Sequence, residues 1–298
     1  MRSRFILKIH LPTIWQNLSH AKAATWELKP MTHAYEPPFE SKPAEKSNAG
    51  PGAAATRLQE EATVSRVNHI DDNFKNCLDN AKDNHQSTMC GVNAEQAWDK
   101  VMNEAYKELR AQSNSEQKSG LQSSEQEWIK FRDEEFKSIR ELYAGNGQGT
   151  MVRPWITEAQ SNITKERAIE LQNRAGNDTN GSVADRSSTD NPPDIAKADC
   201  SMMKIDCLGA NYEDWDKALN ENYQGLKSLL NPDQQEQLLK TQRQWLKFRD
   251  AEFSSIDSYF DSKYAGNRLE ALDAKIDLVR KRALHLQHQK EVAGDSNL

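Results

Sequence analysis

No apolar run in the 298 residues approaches the roughly 18 needed to cross a bilayer, so no membrane span is expected. Apolar side chains are scarce throughout. Hydrophobic residues make up 36%, charged residues 28%, and mean hydropathy is -0.89. That material must be concentrated in limited segments, which speaks against one large core and for small domains. Positive charge is not in surplus either. The net charge is -6, with the acidic excess beyond Ile70. Such a surface disfavours nucleic acid and slightly favours a cationic partner, although plain solubility asks for the same surface.

The motifs of common chemistries are missing. There is no Ser/His/Asp pattern and no GxSxG elbow. The glycine-rich AGNGQGT stretch (Ala144–Thr150) follows a helical pattern and lacks the Lys-Ser/Thr ending of a phosphate loop, so it reads as a helix–helix turn. His285 and His288 are i,i+3 neighbours, but no carboxylate completes a metal set around them. Acidic pairs lie on helices loaded with surface charge, without the cleft that glycoside hydrolysis requires. No catalytic residue, metal or cofactor is expected, and the chain reads as non-enzymatic.

Cysteine is also rare, and its placement is informative. The four residues form two local pairs, Cys77 with Cys90 and Cys200 with Cys207, each opening the same kind of segment. With no CxxC and no zinc-like histidine spacing beyond His85, two small disulfides in an oxidising compartment fit best, ahead of buried thiols or a metal. Near the N-terminus, Arg2 and Arg4 precede FILKIHLPTIW and then SHAKA. This has the outline of an export signal, although Lys8, His10 and Pro12 interrupt its apolar part. The segment that follows is rich in Pro, Ala, Ser, Glu and Lys, and residues 1–69 are expected to be an export and tether region.

What the chain does have, it has twice. Placing Cys90 over Cys207 sets an ungapped offset of 117 residues, under which Trp98, Asp99, Asn103, Tyr106 and Leu109 match Trp215, Asp216, Asn220, Tyr223 and Leu226. At the same offset EWIKFRDEEF (from Glu127) lies over QWLKFRDAEF (from Gln244). This is a duplication, with copies expected over 70–172 and 199–291, a Gly/Asn/Ser/Pro linker over 173–198 and a tail over 292–298. Within each copy the apolar period is helical. The second helix begins near Ser115 or Asn231, with Asn231 as cap and Pro232 at the first turn, and Pro154 is placed to start a third helix. The expected fold is therefore all-α: two small duplicated bundles of about three main helices each, joined by a flexible linker.

On a helical wheel Trp128, Phe131, Arg132 and Glu135 share one sector, as do Trp245, Phe248, Arg249 and Glu252. Trp98, Trp128, Phe131, Phe136, Trp215, Trp245, Phe248 and Phe253 are expected core markers. The Arg132–Glu135 and Arg249–Glu252 pairs are expected to form a structural polar lock, with Asp99, Asp133, Arg167 and Arg282 as possible further members. Glu127 and Glu134 are placed on the outer side.

The series of a cysteine, WDxxxNxxYxxL, QxxWxxFRDxE, a Gly-containing turn and a final Arg-Ala-xx-Leu helix resembles the lysozyme inhibitor LprI-like N-terminal family. It covers about two thirds of the chain, in two tandem copies. The resemblance implies small, helical, disulfide-bearing proteins of the bacterial envelope, whose founding member inhibits lysozyme. Phe136 and Phe253 stand where the family commonly has a further cysteine, and the later partner of that bridge is missing too. The chain is thus expected to be a periplasmic or secreted binding protein, an inhibitor of or immunity protein against lysozyme-type peptidoglycan hydrolases. The alternative is an envelope scaffold or interaction protein with no muralytic target. A cationic lysozyme or other muralytic enzyme is the expected partner. The candidate binding turns are Tyr143, Gly145 and Asn146 in the first copy and Tyr264, Gly266 and Asn267 in the second.

Overall fold

The computed structural model describes residues 69–144, 149–176, 204–263 and 268–295. The chain divides into Met1–Gly50 and Pro51–Leu298, and every described residue belongs to the second unit. Cys200, the expected linker core, and the turn residues Gly145, Asn146, Tyr264, Gly266 and Asn267 lie outside the described residues.

Among the described residues the fold is all-α, as expected. A short helix α1 (69–80) leads into α2 (Asn84–Gln112), α3 (Ser115–Ala144), a 3-10 turn (Gly149–Val152) and α4 (Arg153–Arg174). The second copy gives α5 (Lys204–Leu229), α6 (Pro232–Lys263) and α7 (Arg268–Asp295). Local chemistry explains several boundaries. Asp83 caps α2 by accepting from the Gln86 amide (2.8 Å). The two middle helices open on the same reciprocal box: the Gln117 and Gln234 amides donate to the Asn114 and Asn231 side chains (3.0 Å each). The Asn114 and Asn231 amides donate back to the Gln117 and Gln234 carbonyls (2.9 and 3.1 Å). Pro154 sits in the first turn of α4, where its missing N–H is harmless.

Within each copy the first and third long helices run parallel and pack closely. Gly91 of α2 lies so near Thr157 of α4 that an added Cβ would fall 2.3 Å from the threonine hydroxyl. In the second copy the Asn222 side chain donates to the Ala283 carbonyl (3.1 Å), tying α5 to α7. The Cys77–Cys90 disulfide (Cα–Cα 5.7 Å) fastens α1 to α2. Its short loop contributes about 2–4 kcal/mol.

The middle helices behave differently. Each packs chiefly against the middle helix of the other copy, α3 antiparallel to α6. The Gln117 and Gln234 side chains that complete the capping boxes also donate to the far ends of the opposite helices, at the Tyr259 and Glu141 carbonyls (3.4 and 2.9 Å). The rings of Phe131 and Phe248, equivalent in the two copies, stack at 6.0 Å and 5°. Equivalent residues meeting face to face mark a pseudo-two-fold axis between the copies, which form one compact body.

The side of α3 expected to be outer is part of this contact. Gln244 donates to the Glu127 carboxylate (2.7 Å), and Gln237 donates to the Glu134 carboxylate (2.9 Å). A polar helix face reads as solvated in one copy of the sequence, but here a second polar helix face covers it.

Candidate functional site

The buried charges of the repeated motif divide into two sets. Trp98, Trp128, Phe131, Trp215, Trp245 and Phe248 are all buried in the core. Phe136 and Phe253 are half-buried at its edge. Arg132 lies over Trp128 and Phe136, and Arg249 over Trp245 and Phe253, at 5.4 to 5.9 Å from the ring centres. Each guanidinium then meets a neighbouring acid: Arg132 meets Asp133 (2.9 Å) and Asp99 (3.6 Å), and Arg249 meets Asp250 (2.7 Å). The Arg132 head stays at the wet margin of the bundle, whereas Arg249 is buried.

Glu135 and Glu252, by contrast, are fully buried, at 0% exposure. Their partners come from the other copy. Glu252 is held by Arg167, Arg174 and the Ser124 hydroxyl, and Glu135 by Arg282 (2.9 Å) and Gln289 (2.6 Å). The expected Arg132–Glu135 and Arg249–Glu252 pairs are thus replaced by pairs across the copies. The reason is positional: each arginine turns to an acid of its own copy, whereas each glutamate points through the interface towards the opposite third helix.

The two halves of the lock are built alike. Arg167 donates to Glu125 of its own copy (2.9 Å) and lies over Phe248 of the other (5.3 Å). Arg282 donates to Gln242 of its own copy (3.0 Å) and lies over Phe131 of the other (5.2 Å). The result is a column of Arg282, Phe131, Phe248 and Arg167 through the axis. Glu125 and Arg174 become Gln242 and Gln289 in the second copy, so an acid and a base are exchanged for amides together. Burial opposes the charge of Glu252, but Arg167 and Arg174 outweigh it and hold the carboxyl well below its ordinary range. Glu170 goes the other way. Burial and Glu252 push it up against the pull of Arg167, to about 6.

Beside this column lies a cleft of about 40 Å³, lined equally by the two copies. That is space for roughly two or three waters, and it offers no bed for a saccharide. The centre of the molecule is therefore a set of buried ion pairs, whose chemical work is to hold the two copies together.

Of the large apolar side chains exposed among the described residues, Met89, Met151 and Trp155 belong to the first copy and Leu229 to the second. Tyr143, in the last turn of α3, is half-buried and packs at 6.5 Å against Trp155 in the first turn of α4. Trp155 is 50% exposed and Met151, in the 3-10 turn between them, 69%. The Asn84 side chain of α2 donates to the Thr150 carbonyl and anchors this turn. The proposed turn is thus represented among the described residues by Tyr143. Trp155 and Met151 belong to neither the repeat motif nor a helical stripe, so nothing in the sequence singles them out. The position equivalent to Trp155 in the second copy is Glu270, so that copy has no matching aromatic there.

Comparison with known proteins accords with this architecture. Among curated proteins, none matches the chain. A crystal structure of an uncharacterized protein from Burkholderia thailandensis matches with a TM-score of 0.52 and 23% identity, over 74% of this chain and 96% of that one. This is a likeness of fold. The Lysozyme inhibitor LprI family profile matches twice, over residues 77–171 and 196–286, the two halves that the lock joins. The chain therefore belongs to the LprI lysozyme inhibitor family, as a tandem pair of its helical units.

Proposed function

We propose that the chain is a non-enzymatic protein of the bacterial envelope, periplasmic or secreted, that inhibits lysozyme-type peptidoglycan hydrolases by binding them directly. The observation that carries this reading is the family match over both copies. The buried centre adds to it, since its charged groups are engaged in holding the fold. A disulfide between α1 and α2 suits an oxidising compartment. No helix among the described residues is long and apolar enough to cross a membrane.

The surface we assign to the target is the exposed end of the first copy, with Trp155 as anchor and Met151 and Tyr143 beside it. An exposed tryptophan on a disulfide-fastened helical frame has the properties of a binding hot spot. The net charge of -6 favours encounter with a cationic enzyme. The test is a titration of the purified protein into a panel of muramidases acting on a peptidoglycan suspension. Suppression that saturates at a fixed molar ratio is expected with at least one enzyme. Full hydrolysis by every member of the panel at excess protein would overturn the proposal.

A further inference from the structure

Along the pseudo-two-fold axis, three equivalent positions differ in charge between the two copies. From the first copy come Glu127, Glu166 and Glu170; at the equivalent positions the second copy carries Gln244, Lys281 and His285. These face one another. His285 lies 2.9 Å from Glu166, and Gln244 donates to Glu127 at 2.7 Å. Lys281, paired with Asp277 on its own helix (2.8 Å), is within electrostatic reach of both Glu166 and Glu170. Around this acid–base set, the aromatic and arginine column is nearly the same in both copies.

We propose that this set is a pairing code: it selects the union of a first copy with a second copy and rejects the union of either with its own kind. In a pair of first copies, Glu127 would abut its own equivalent, and Glu166 would face Glu170 of the other molecule, gathering carboxylates at the centre. In a pair of second copies, Lys281 would face His285, and the acids Glu166 and Glu170 would both be absent. Like charges placed opposite one another are a device for specificity, separate from the attraction that holds the correct pair.

Neutral positions carry the same asymmetry. Glu134 receives the Gln237 side chain, and the equivalent residues, Ala251 and Gly120, have no side chains that could repeat that contact. Two first copies would therefore leave Glu134 without its glutamine, and two second copies would leave Gln237 without its glutamate. The chain is a fused heterodimer of its own repeats, and the code prevents two chains from exchanging halves of the same type.

The test is a charge-swap cycle on the full chain. E166K/E170K and K281E/H285E should each lower the melting temperature by several degrees, on the order of 5 °C. The fourfold swap should recover at least half of the summed loss, and the recovery should shrink at high salt. A fourfold variant that melts at or below the sum of the two losses would overturn the proposal. A second measurement needs no charge variant. With a protease site placed within residues 177–203 and cleaved, native mass spectrometry should show one first half bound to one second half. Separated halves, or pairs of identical halves, would contradict the code.

Discussion

The two buried glutamates decide how the copies hold together, and each depends on a cation from the opposite copy. Glu252→Ala would leave Arg167 and Arg174 buried without their shared acid. Removing one member of a buried pair costs about 3–5 kcal/mol, so chemical denaturation should show a loss of that order. Arg132→Ala removes a guanidinium at the wet rim and its contact with Trp128, and should cost about 1 kcal/mol or less. The two residues sit in one short motif, yet their losses should differ several-fold. The sequence made the whole FRDxE segment look like a single polar lock. It was legible that Arg and Glu flank an apolar stripe. What the wheel of one helix could not reveal was that a second copy supplies the partners, because helical periodicity records which face is apolar and not what covers a polar one.

The axis should also respond to pH. Glu170, at about 6, lies above its unfolded value, so its ionisation disfavours the fold; the penalty is full above that value and fades as pH falls from there towards the unfolded range of about 4.3. Burial opposes the charge of His285, but Glu166, with support from Glu135 and against Arg282, raises it above the ordinary histidine value. Its contribution is fully present below the unfolded histidine range of about 6.5 and is lost as pH rises through the higher folded value. Glu166 is lowered: burial pushes it up, and His285 and Lys281 more than reverse that. Its contribution is present above the unfolded glutamate range of about 4.3 and fades as pH falls through the lower folded value. The melting temperature should therefore be higher near about pH 5.5 than near pH 8, and Glu170→Gln combined with His285→Gln should flatten the difference. An equal slope in the double variant would separate the pH response from these groups.

At the scale of elements, helix existence and starts were well marked. Asn114 and Asn231 cap the middle helices, and Pro154 lies in the first turn of α4. These signals were legible because they are local. The closeness of α2 to α4 was not. It rests on Gly91 admitting Thr157, and a single glycine in a helix carries no such message by itself. Gly91→Ala would set its Cβ 2.7 Å from the Thr157 Cβ, so the helices must shift. A loss of about 1–3 kcal/mol is expected in thermal unfolding. The Cys77–Cys90 bridge fastens the same region, and Cys77→Ser with Cys90→Ser should cost about 2–4 kcal/mol, with no further effect of reductant on the variant.

At the scale of the whole molecule, duplication and family were plain in the sequence, since a 117-residue offset holds without a gap through the WDK and FRD segments. The exposed end was less so. Trp155 belongs to the first copy alone, so the proposed inhibitor should engage one hydrolase per chain. Trp155→Ala should weaken that binding at least about tenfold while leaving the melting temperature close to that of the parent.

The joining of two family units into one body through their middle helices underlies the whole account. Hydrogen–deuterium exchange of Glu252→Ala, compared with the parent chain, addresses it most directly. Peptides from the first copy, in α3 and α4, should lose protection together with those of α6 and α7, although the substitution lies in the second copy. Loss confined to the second copy would contradict the account.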